Sequence, residues 1–312
     1  MFADEPPQRE PIRVSLRLRP MNKFELSRRS KNCVTSSSTI VGDNGDGNKK
    51  LSYAAIVERG GPSDEERGGD AHLRVHSPLE GEFNFVFDDV FREDSTQSEV
   101  YRRAVAPLAS HAMEGFNCAL VAYGQTGSGK THTMMGGGEG GGAGAKGPQP
   151  SKKATGGGED DYEKSGMIHR LIKDVFRLIH ESPPMVEYIV RCSFVEIYLE
   201  KVLDLLNPVN RSIQIRSGGE EKPSDGGAVD PKVCHGGVRL DGASEACCFD
   251  ESDVVSLLVR GNACRTVSST KMNTDSSRSH AVFVLKIEQK DNTTGISKSS
   301  QLVMVDMAGS EL

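Results

Sequence analysis

The segment at residues 124–131 constrains the fold most, because it reads Gly-Gln-Thr-Gly-Ser-Gly-Lys-Thr directly after the apolar run at residues 118–123. A buried strand that runs into a glycine-rich turn and then a helix is the usual setting of a phosphate-binding loop. The glycines let successive backbone N–H groups face one anion, and the helix adds the positive end of its dipole. The segment therefore predicts a nucleotide site, with Lys130 on the β- and γ-phosphates and the Thr131 hydroxyl on Mg²⁺.

Strand and helix patterns alternate along the rest of the chain. Alternating or continuous apolar residues predict strands at residues 12–18, 83–87, 186–198, 281–287 and 302–306. Helical spacing predicts helices over residues 96–115, 130–134, 167–179 and 252–262, and Pro107 predicts a break in the first of them. This alternation is typical of the α/β class, so we predict a P-loop NTPase fold with a central, mostly parallel or mixed β-sheet flanked by helices. The nucleotide is then expected beyond the carboxyl ends of the strands.

Three segments fall outside this pattern. Residues 1–11 are polar and proline-rich, and we expect a disordered tail rather than a signal peptide. Residues 136–158 form a glycine-rich, low-complexity insertion that cannot bury enough apolar surface to offset its ordering entropy. Residues 217–237 form a second polar, glycine-rich insertion. Between residues 42 and 82 the composition indicates irregular surface with a short hairpin.

Composition excludes several classes of protein. The formal net charge of −6 and the 5% aromatic content, with no Trp, argue against nucleic acid as a partner. The seven cysteines are odd in number and lack Cys-x-x-Cys spacing, which argues against both a disulfide framework and a zinc site. No apolar run approaches the ~20 residues that a membrane helix needs, so we expect no membrane partner and a reduced, cytoplasmic location.

Two further segments carry side chains suited to phosphate chemistry. Residues 273–280 read Asn-Thr-Asp-Ser-Ser-Arg-Ser-His, whose closely spaced hydroxyls could contact Mg²⁺, the γ-phosphate and the attacking water. Residues 306–311 read Asp-Met-Ala-Gly-Ser-Glu at the end of an apolar strand. Asp306 could hold Mg²⁺ through water, and Gly309 could offer its N–H to the γ-phosphate. Arg278 of the first segment could pair with the carboxylate that ends the second.

Taken singly, each of these segments is also a plain loop or a strand followed by a turn. A GTPase or a nucleic-acid translocase shares the phosphate loop as well. A GTPase, however, should carry Asn-Lys-x-Asp, and the nearest match at residues 22–25 ends in Glu and lies upstream of the loop. Chance does not readily explain the presence of all three motifs in this order.

Together the motifs resemble the kinesin motor domain. The loop with its extension to residue 134 looks like the kinesin form in full, residues 273–280 look like switch I, and residues 306–311 look like switch II with Met307 replacing Leu. Further similar stretches are Arg-Leu-Arg-Pro at residues 17–20, Phe-Asp-Asp-Val-Phe at 87–91 and residues 193–206, where Leu199 stands in place of the usual Asn. The resemblance covers residues 12–312 apart from the two insertions.

The resemblance implies a microtubule motor that hydrolyses Mg·ATP and is located on the cytoskeleton. It implies that nucleotide contacts Arg17, Pro20, Gly124, Gln125, Thr126, Gly127, Ser128, Gly129, Lys130, Thr131 and His132. It implies roles in hydrolysis for Asn273, Ser276, Ser277, Arg278, Gly309 and Glu311, with Thr131, Ser277 and Asp306 as the residues that hold Mg²⁺. An Arg278–Glu311 salt bridge would close the two switches on ATP.

The chain departs from the family pattern at its end, since it stops just after switch II. We therefore expect residues 12–312 to be an incomplete motor domain that lacks the main microtubule-binding elements. Two readings remain open: a fragment of a full motor, or a truncated, non-motile remnant that binds nucleotide or a partner without stepping. The kinesin subfamily, direction of movement, cargo and oligomeric state are not encoded in these residues.

Overall fold

The computed structural model describes residues 12–28, 55–59, 71–77, 81–137, 163–210, 213–217, 238–271 and 276–311. The predicted tail at 1–11, most of the two insertions (138–158 and 218–237) and Asn273 lie outside the described residues. The chain divides into two compact units, Met1–Ala104 and Val105–Leu312. Each unit is described by itself.

The first unit is built mainly from short strands. Its elements are β1 (Ser15–Arg17), α1 (Lys23–Ser27), β2 (Ala55–Arg59), β3 (Ala71–Ser77), β4 (Gly81–Phe87), β5 (Asp89–Phe91) and α2 (Gln97–Val100). Strands β2, β3 and β4 form an antiparallel sheet, and β1 pairs in parallel with β5. Buried Leu73 and Val90 form a small apolar core with partly buried neighbours. The strand predicted at 83–87 is confirmed, and β2–β3 supplies the expected hairpin.

The helical stretch predicted over residues 96–115 is confirmed, with the expected break. Thr96 caps α2, because its hydroxyl accepts the Glu99 N–H at 3.1 Å. One π-helical turn follows at Tyr101–Val105, and α3 (Pro107–Glu114) begins at the proline. Proline has no N–H for the preceding turn, so it is tolerated only where a helix begins. Gly115 ends α3 with a φ of 103°.

The second unit holds the larger sheet and its helices. After α3, its elements are β6 (Cys118–Ala122), α4 (Lys130–Met135), α5 (Met167–Glu181), β7 (Val186–Tyr198), β8 (Lys201–Asp204), β9 (Gln214–Ser217), β10 (Val238–Asp241), β11 (Ala246–Cys248), α6 (Glu251–Lys271), a 3₁₀ turn (Ser276–Arg278), β12 (His280–Asp291) and β13 (Ser297–Asp306). Within the described residues no helix combines the length and apolarity needed to cross a membrane.

The main sheet of this unit is mixed, which confirms the mixed form of the prediction. Its strand order is β11–β7–β12–β13–β6, with β8 also paired to β7. Strands β13 and β6 run parallel, and the other described pairs are antiparallel. The β13–β6 register places Asp306 beside Ala122, at the carboxyl ends of both strands. The last residue of β13 thus lies where β6 leads into the phosphate loop.

The core of the second unit lies between this sheet and its helices. Every second residue of β12 from Ala281 to Ile287 is buried. Phe283 pairs with Phe194 of β7 across the strands, with ring centroids 5.5 Å apart in an edge-to-face arrangement. Helix α6 approaches Phe194 through Gly261, where an added Cβ would lie 2.3 Å from the ring. The glycine is therefore needed for this close contact rather than for a turn.

The end of one helix differs from the sequence prediction. Helix α6 continues to Lys271 instead of ending near residue 262. The added turns are polar, and their amphipathic pattern is weak because Arg265 is buried on the inner side of the helix.

Candidate nucleotide-binding site

The phosphate loop joins β6 to α4, as the sequence predicted. Three of its glycines have positive φ values: 149° at Gly124, 77° at Gly127 and 103° at Gly129. A side chain at Gly124 would also collide with Ser128, whose Oγ would lie 2.8 Å from an added Cβ. The loop conformation therefore requires glycine at these positions. It leaves Thr126, two residues after Gly124, exposed at the surface.

Lys130 and Thr131 follow the loop at the start of α4. The Lys130 ammonium donates to the carbonyls of Gly124 at 2.8 Å and Gln125 at 3.0 Å. The Thr131 hydroxyl donates to Asp306 Oδ2 at 2.7 Å. Lys130 and Thr131, which the sequence assigned to phosphate and to Mg²⁺, are thus adjacent. Thr131 also contacts Asp306, the carboxylate assigned to the same metal.

The oxygens around Asp306 fit a divalent cation of the Mg²⁺ type. Asp306 is 2% exposed, and its Oδ1 has no hydrogen-bond partner among the described residues. A buried carboxylate oxygen without a partner is costly unless a ligand completes it. Carboxylate and hydroxyl oxygens are the donors that Mg²⁺ prefers, together with water and phosphate oxygens. The pairing of Asp306 with Thr131 satisfies that requirement.

The segment that follows Asp306 is tied to both other motifs through its backbone. The Gly309 N–H donates to the Ser277 carbonyl at 2.6 Å, and the Ser310 N–H donates to the Gly124 carbonyl at 3.1 Å. The structure therefore brings residues 124–131, 276–280 and 306–311 to one place. The Gly309 N–H, which the sequence assigned to the γ-phosphate, is engaged by Ser277 in this arrangement.

Glu311 contacts the phosphate loop. Its Oε2 accepts the Thr126 N–H at 2.8 Å, and its Oε1 accepts the Thr126 hydroxyl. These hydrogen bonds, led by the hydroxyl and assisted by the charge of Lys130, lower the pKa of Glu311 to about 2. The sequence analysis named Arg278 as the partner of this carboxylate. The carboxylate bonds to Thr126 in the structure, and its ion pair with Arg278 stays a prediction.

A buried ionic cluster lies directly beneath the site, and the sequence analysis missed most of it. Arg265 Nη1 donates to Asp306 Oδ2 at 3.0 Å, and Arg265 Nε lies 3.5 Å from Glu196 Oε1. The Ser279 hydroxyl donates to the same Glu196 oxygen at 2.6 Å. Arg265 also donates to the Ser279 carbonyl at 3.1 Å. The cluster thus joins α6, β7 and β13 to the residues just before β12.

The sequence did contain a signal for this cluster. Glu196 interrupts the apolar run Phe-Val-Glu-Ile-Tyr on β7, and Arg265 lies on the inner side of a helix. Neither charge would be buried without a partner of opposite sign. Glu196 within an apolar run was therefore a signal for a buried partner of opposite sign, whereas Arg265, beyond the helix predicted to end at residue 262, carried no such signal.

Some predicted site residues belong to the first unit or have no described side chain. Arg17 and Pro20 belong to the first unit, where Arg17 donates to Gln97 Oε1 at 2.6 Å and burial lowers the pKa of its guanidinium. His132 is exposed on α4. Ser276 is described only as the first residue of the 3₁₀ turn, whereas Ser277 and Arg278 are described in full.

Comparison with known proteins gives a consistent result. The family model of the kinesin motor domain matches residues 17–312. Kinesin-related protein 3 of Dictyostelium discoideum is 33% identical over 300 residues, which cover 96% of this chain and 20% of the relative. Kinesin-like protein 3 of Schizosaccharomyces pombe is 36% identical over 228 residues, which cover 73% of this chain and 35% of the relative. The chain thus spans about a third or less of the length of these relatives.

A solved structure is similar as well. It is described as that of a fast kinesin, with implications for ATPase mechanism and interactions with microtubules. The match has a TM-score of 0.70 and 32% identity, and it covers 96% of this chain and 66% of the other. The three motifs converge in space, the sheet is of the expected kind, and the family model covers nearly the whole sequence. On these grounds the chain belongs to the kinesin motor domain family, which implies nucleotide binding.

Proposed function

We propose that this chain is an ATP-hydrolysing module of a microtubule motor, which binds Mg·ATP in the phosphate loop and acts on the cytoskeleton in the cytoplasm. Membership of the kinesin motor domain family supports this function. Relatives that share it include proteins named kinesin heavy chain in Botryotinia fuckeliana and Neurospora crassa.

The observation that carries the proposal is the meeting of Thr131 with Asp306. The hydroxyl and the carboxylate come from different motifs, 175 residues apart, and lie 2.7 Å from each other. The Asp306 Oδ1 has no hydrogen-bond partner among the described residues, as expected of an oxygen that awaits a ligand. Such a pair at the end of parallel strands is what an NTPase needs to hold a metal beside the β- and γ-phosphates.

Each group of site residues has its own role in this proposal. Residues 124–131 wrap the phosphates, and Lys130 neutralises their charge. Thr131, Ser277 and Asp306 would hold Mg²⁺. The bound Mg²⁺ supplies positive charge where negative charge develops on the phosphate oxygens. Phosphoryl transfer depends on positioning and charge stabilisation more than on a strong base, which suits a site of hydroxyls and amides.

The remaining predicted residues are proposed to position the attacking water and the adenine ring of the nucleotide. Asn273, Ser276 and Ser277 are proposed to place the attacking water near the γ-phosphate. Arg17, Pro20 and His132 are proposed to contact the adenine. These are the roles that the family resemblance implies for them.

The proposal is tested by measuring ATP turnover of the 312-residue chain with and without microtubules. We expect Mg²⁺-dependent ATP turnover; a rise with microtubules is expected of the full-length protein, because the main microtubule-binding elements are expected to lie outside these 312 residues. ATP binding without turnover favours the alternative, a module that binds nucleotide without stepping. Turnover of GTP in preference to ATP contradicts the proposal.

A second test addresses closure of the switches. We propose that Glu311 pairs with Arg278 when the γ-phosphate is bound, because a bidentate ion pair would hold both switches around the reacting group. Glu311→Ala should then retain nucleotide binding but lose ATP turnover. A normal steady-state rate in this variant contradicts the role of Glu311.

A further inference from the structure

In this structure the phosphate loop already holds an anion, and that anion is a side chain of the protein. Both oxygens of the Glu311 carboxylate are engaged by Thr126, one by the backbone N–H at 2.8 Å and the other by the hydroxyl. Carboxylate and phosphate oxygens are acceptors of the same kind, and charged acceptors make the stronger hydrogen bonds. Thr126 is the third residue of the loop at residues 124–131. The carboxylate therefore uses a donor that the loop motif assigns to nucleotide.

Three backbone hydrogen bonds hold the segment that precedes Glu311. Ser310 N–H donates to Gly124 O at 3.1 Å, and Gly309 N–H donates to Ser277 O at 2.6 Å. Nearer to β13, the Met307 N–H donates to Ala122 O at 3.2 Å. These hydrogen bonds hold residues 307–310 close to β6, the phosphate loop and Ser277, and the Glu311 side chain then contacts Thr126.

Gly309 provides the space for this contact. A Cβ built on Gly309 would lie 2.4 Å from each carboxylate oxygen of Glu311 and 2.4 Å from the Thr126 hydroxyl. Any other residue at position 309 would have to displace one partner or the other. The close approach of Glu311 to Thr126 thus requires a glycine two residues earlier.

The charges around the contact favour an ionised carboxylate. Lys130 contributes to lowering the pKa of Glu311, after the hydrogen bonds from Thr126. Lys130 itself donates to two loop carbonyls, so its ammonium is held at the loop. The carboxylate therefore interacts with the cation and the amide that serve the phosphates in the proposed function.

We infer that Glu311 is an internal competitor for the phosphate loop, which occupies the Thr126 donors in the empty site and must be displaced when nucleotide binds. This inference rests on the proposed function and adds a means of regulation to the same site. When a binding site is open for only a fraction of the time, the apparent dissociation constant rises by the inverse of that fraction. A contact closed about nine-tenths of the time would weaken nucleotide binding about tenfold.

The test is isothermal titration calorimetry of the 312-residue chain with Mg·ADP and, separately, with inorganic pyrophosphate. Glu311→Gln keeps the size of the side chain and removes its charge. We expect this variant to bind both ligands about tenfold more tightly than the unaltered chain. The matched control is Glu181→Gln, which removes the same charge from an exposed glutamate at the end of α5. The control should leave both affinities unchanged.

The outcomes separate this inference from the proposed function. If Lys130→Ala weakens binding but Glu311→Gln leaves it unchanged or weakens it, the competitor role is wrong and the nucleotide site stands. If neither the unaltered chain nor any variant binds either ligand, both proposals fail. The amide resonance of Thr126 gives a second readout. It should move on Glu311→Gln, and pyrophosphate should shift it in the unaltered chain, whereas a Thr126 resonance insensitive to Glu311→Gln overturns the inference.

Discussion

Two groups of charged side chains meet at the end of β13, and they are built in opposite ways. The first lies at the phosphate loop, where Lys130 donates to loop carbonyls and Glu311 accepts from the exposed Thr126. The second, beneath it, joins Arg265 to Asp306 and Glu196, whose side chains are all less than 10% exposed. Water can replace the partners of the first group but not those of the second. In the proposed function the exposed group serves binding, while the buried group joins the sheet and α6 to the residues just before β12.

The largest effect is expected from the buried group. Arg265→Ala leaves two buried carboxylates without their cation, which should lower the free energy of unfolding by about 3–5 kcal/mol. Urea denaturation measures this loss. Arg177→Ala is the control, because Arg177 makes exposed ion pairs on α5 and its loss should cost less than about 0.5 kcal/mol. Equal losses in the two variants would remove the distinction between buried and exposed groups.

The second-largest effect is expected at the exposed group, and it should change the nucleotide affinity rather than the free energy of unfolding. Lys130→Ala removes the cation that the loop offers to phosphate, and we expect the affinity for Mg·ATP to fall about a hundredfold or more. The free energy of unfolding should change by less than about 0.5 kcal/mol, because the lysine donates to carbonyls of the loop rather than to a buried charge. Calorimetry and urea denaturation of one sample check both statements, and unchanged affinity would refute the role of Lys130.

A smaller effect is expected at the turn between β7 and β8, whose two residues belong to neither group. Leu199 and Glu200 join β7 to β8 with φ values of 44° and 60°. A two-residue hairpin turn of this kind favours Asn or Gly, since branched and bulky side chains are strained at positive φ. Leu199→Asn should raise the free energy of unfolding by roughly 0.5–1 kcal/mol. Leu199→Ala keeps a Cβ at the same φ, so a comparable gain in that variant would contradict the explanation.

The smallest effect is the pH dependence of the exposed carboxylate. Because the Thr126 contact lowers the pKa of Glu311 from 4.5 to about 2, the contact is fully present above pH 4.5 and is lost as the pH falls through 2. The ¹³C carboxyl resonance of Glu311 should therefore stay flat between pH 6 and about 3.5. A midpoint near the ordinary value of 4.5 would mean that the contact is not made in solution.

The parts of the fold that were predicted correctly are those whose sequence signal lies in one continuous segment. The phosphate loop, the break at Pro107 and the long strands β7, β12 and β13 all follow from local rules of backbone conformation and side-chain alternation. The end of α6 and the contact of Glu311 with Thr126 were not predicted, because they depend on residues that meet only in the folded chain. The polar turns of α6 carry little periodic pattern, and the buried partners of Arg265 explain why the helix continues there.

By itself the sequence determined the chemistry of the site and the family of the chain. Glycines, a lysine and a threonine in fixed order, between a strand pattern and a helix pattern, predict a phosphate-binding loop from local backbone geometry. Only the tertiary structure decided which side chains share that loop. It brought Asp306 beside Thr131, buried Arg265 between two carboxylates and placed Glu311 on the Thr126 amide. The physical reason is that strand register and burial, rather than distance along the chain, determine which charges are forced to pair.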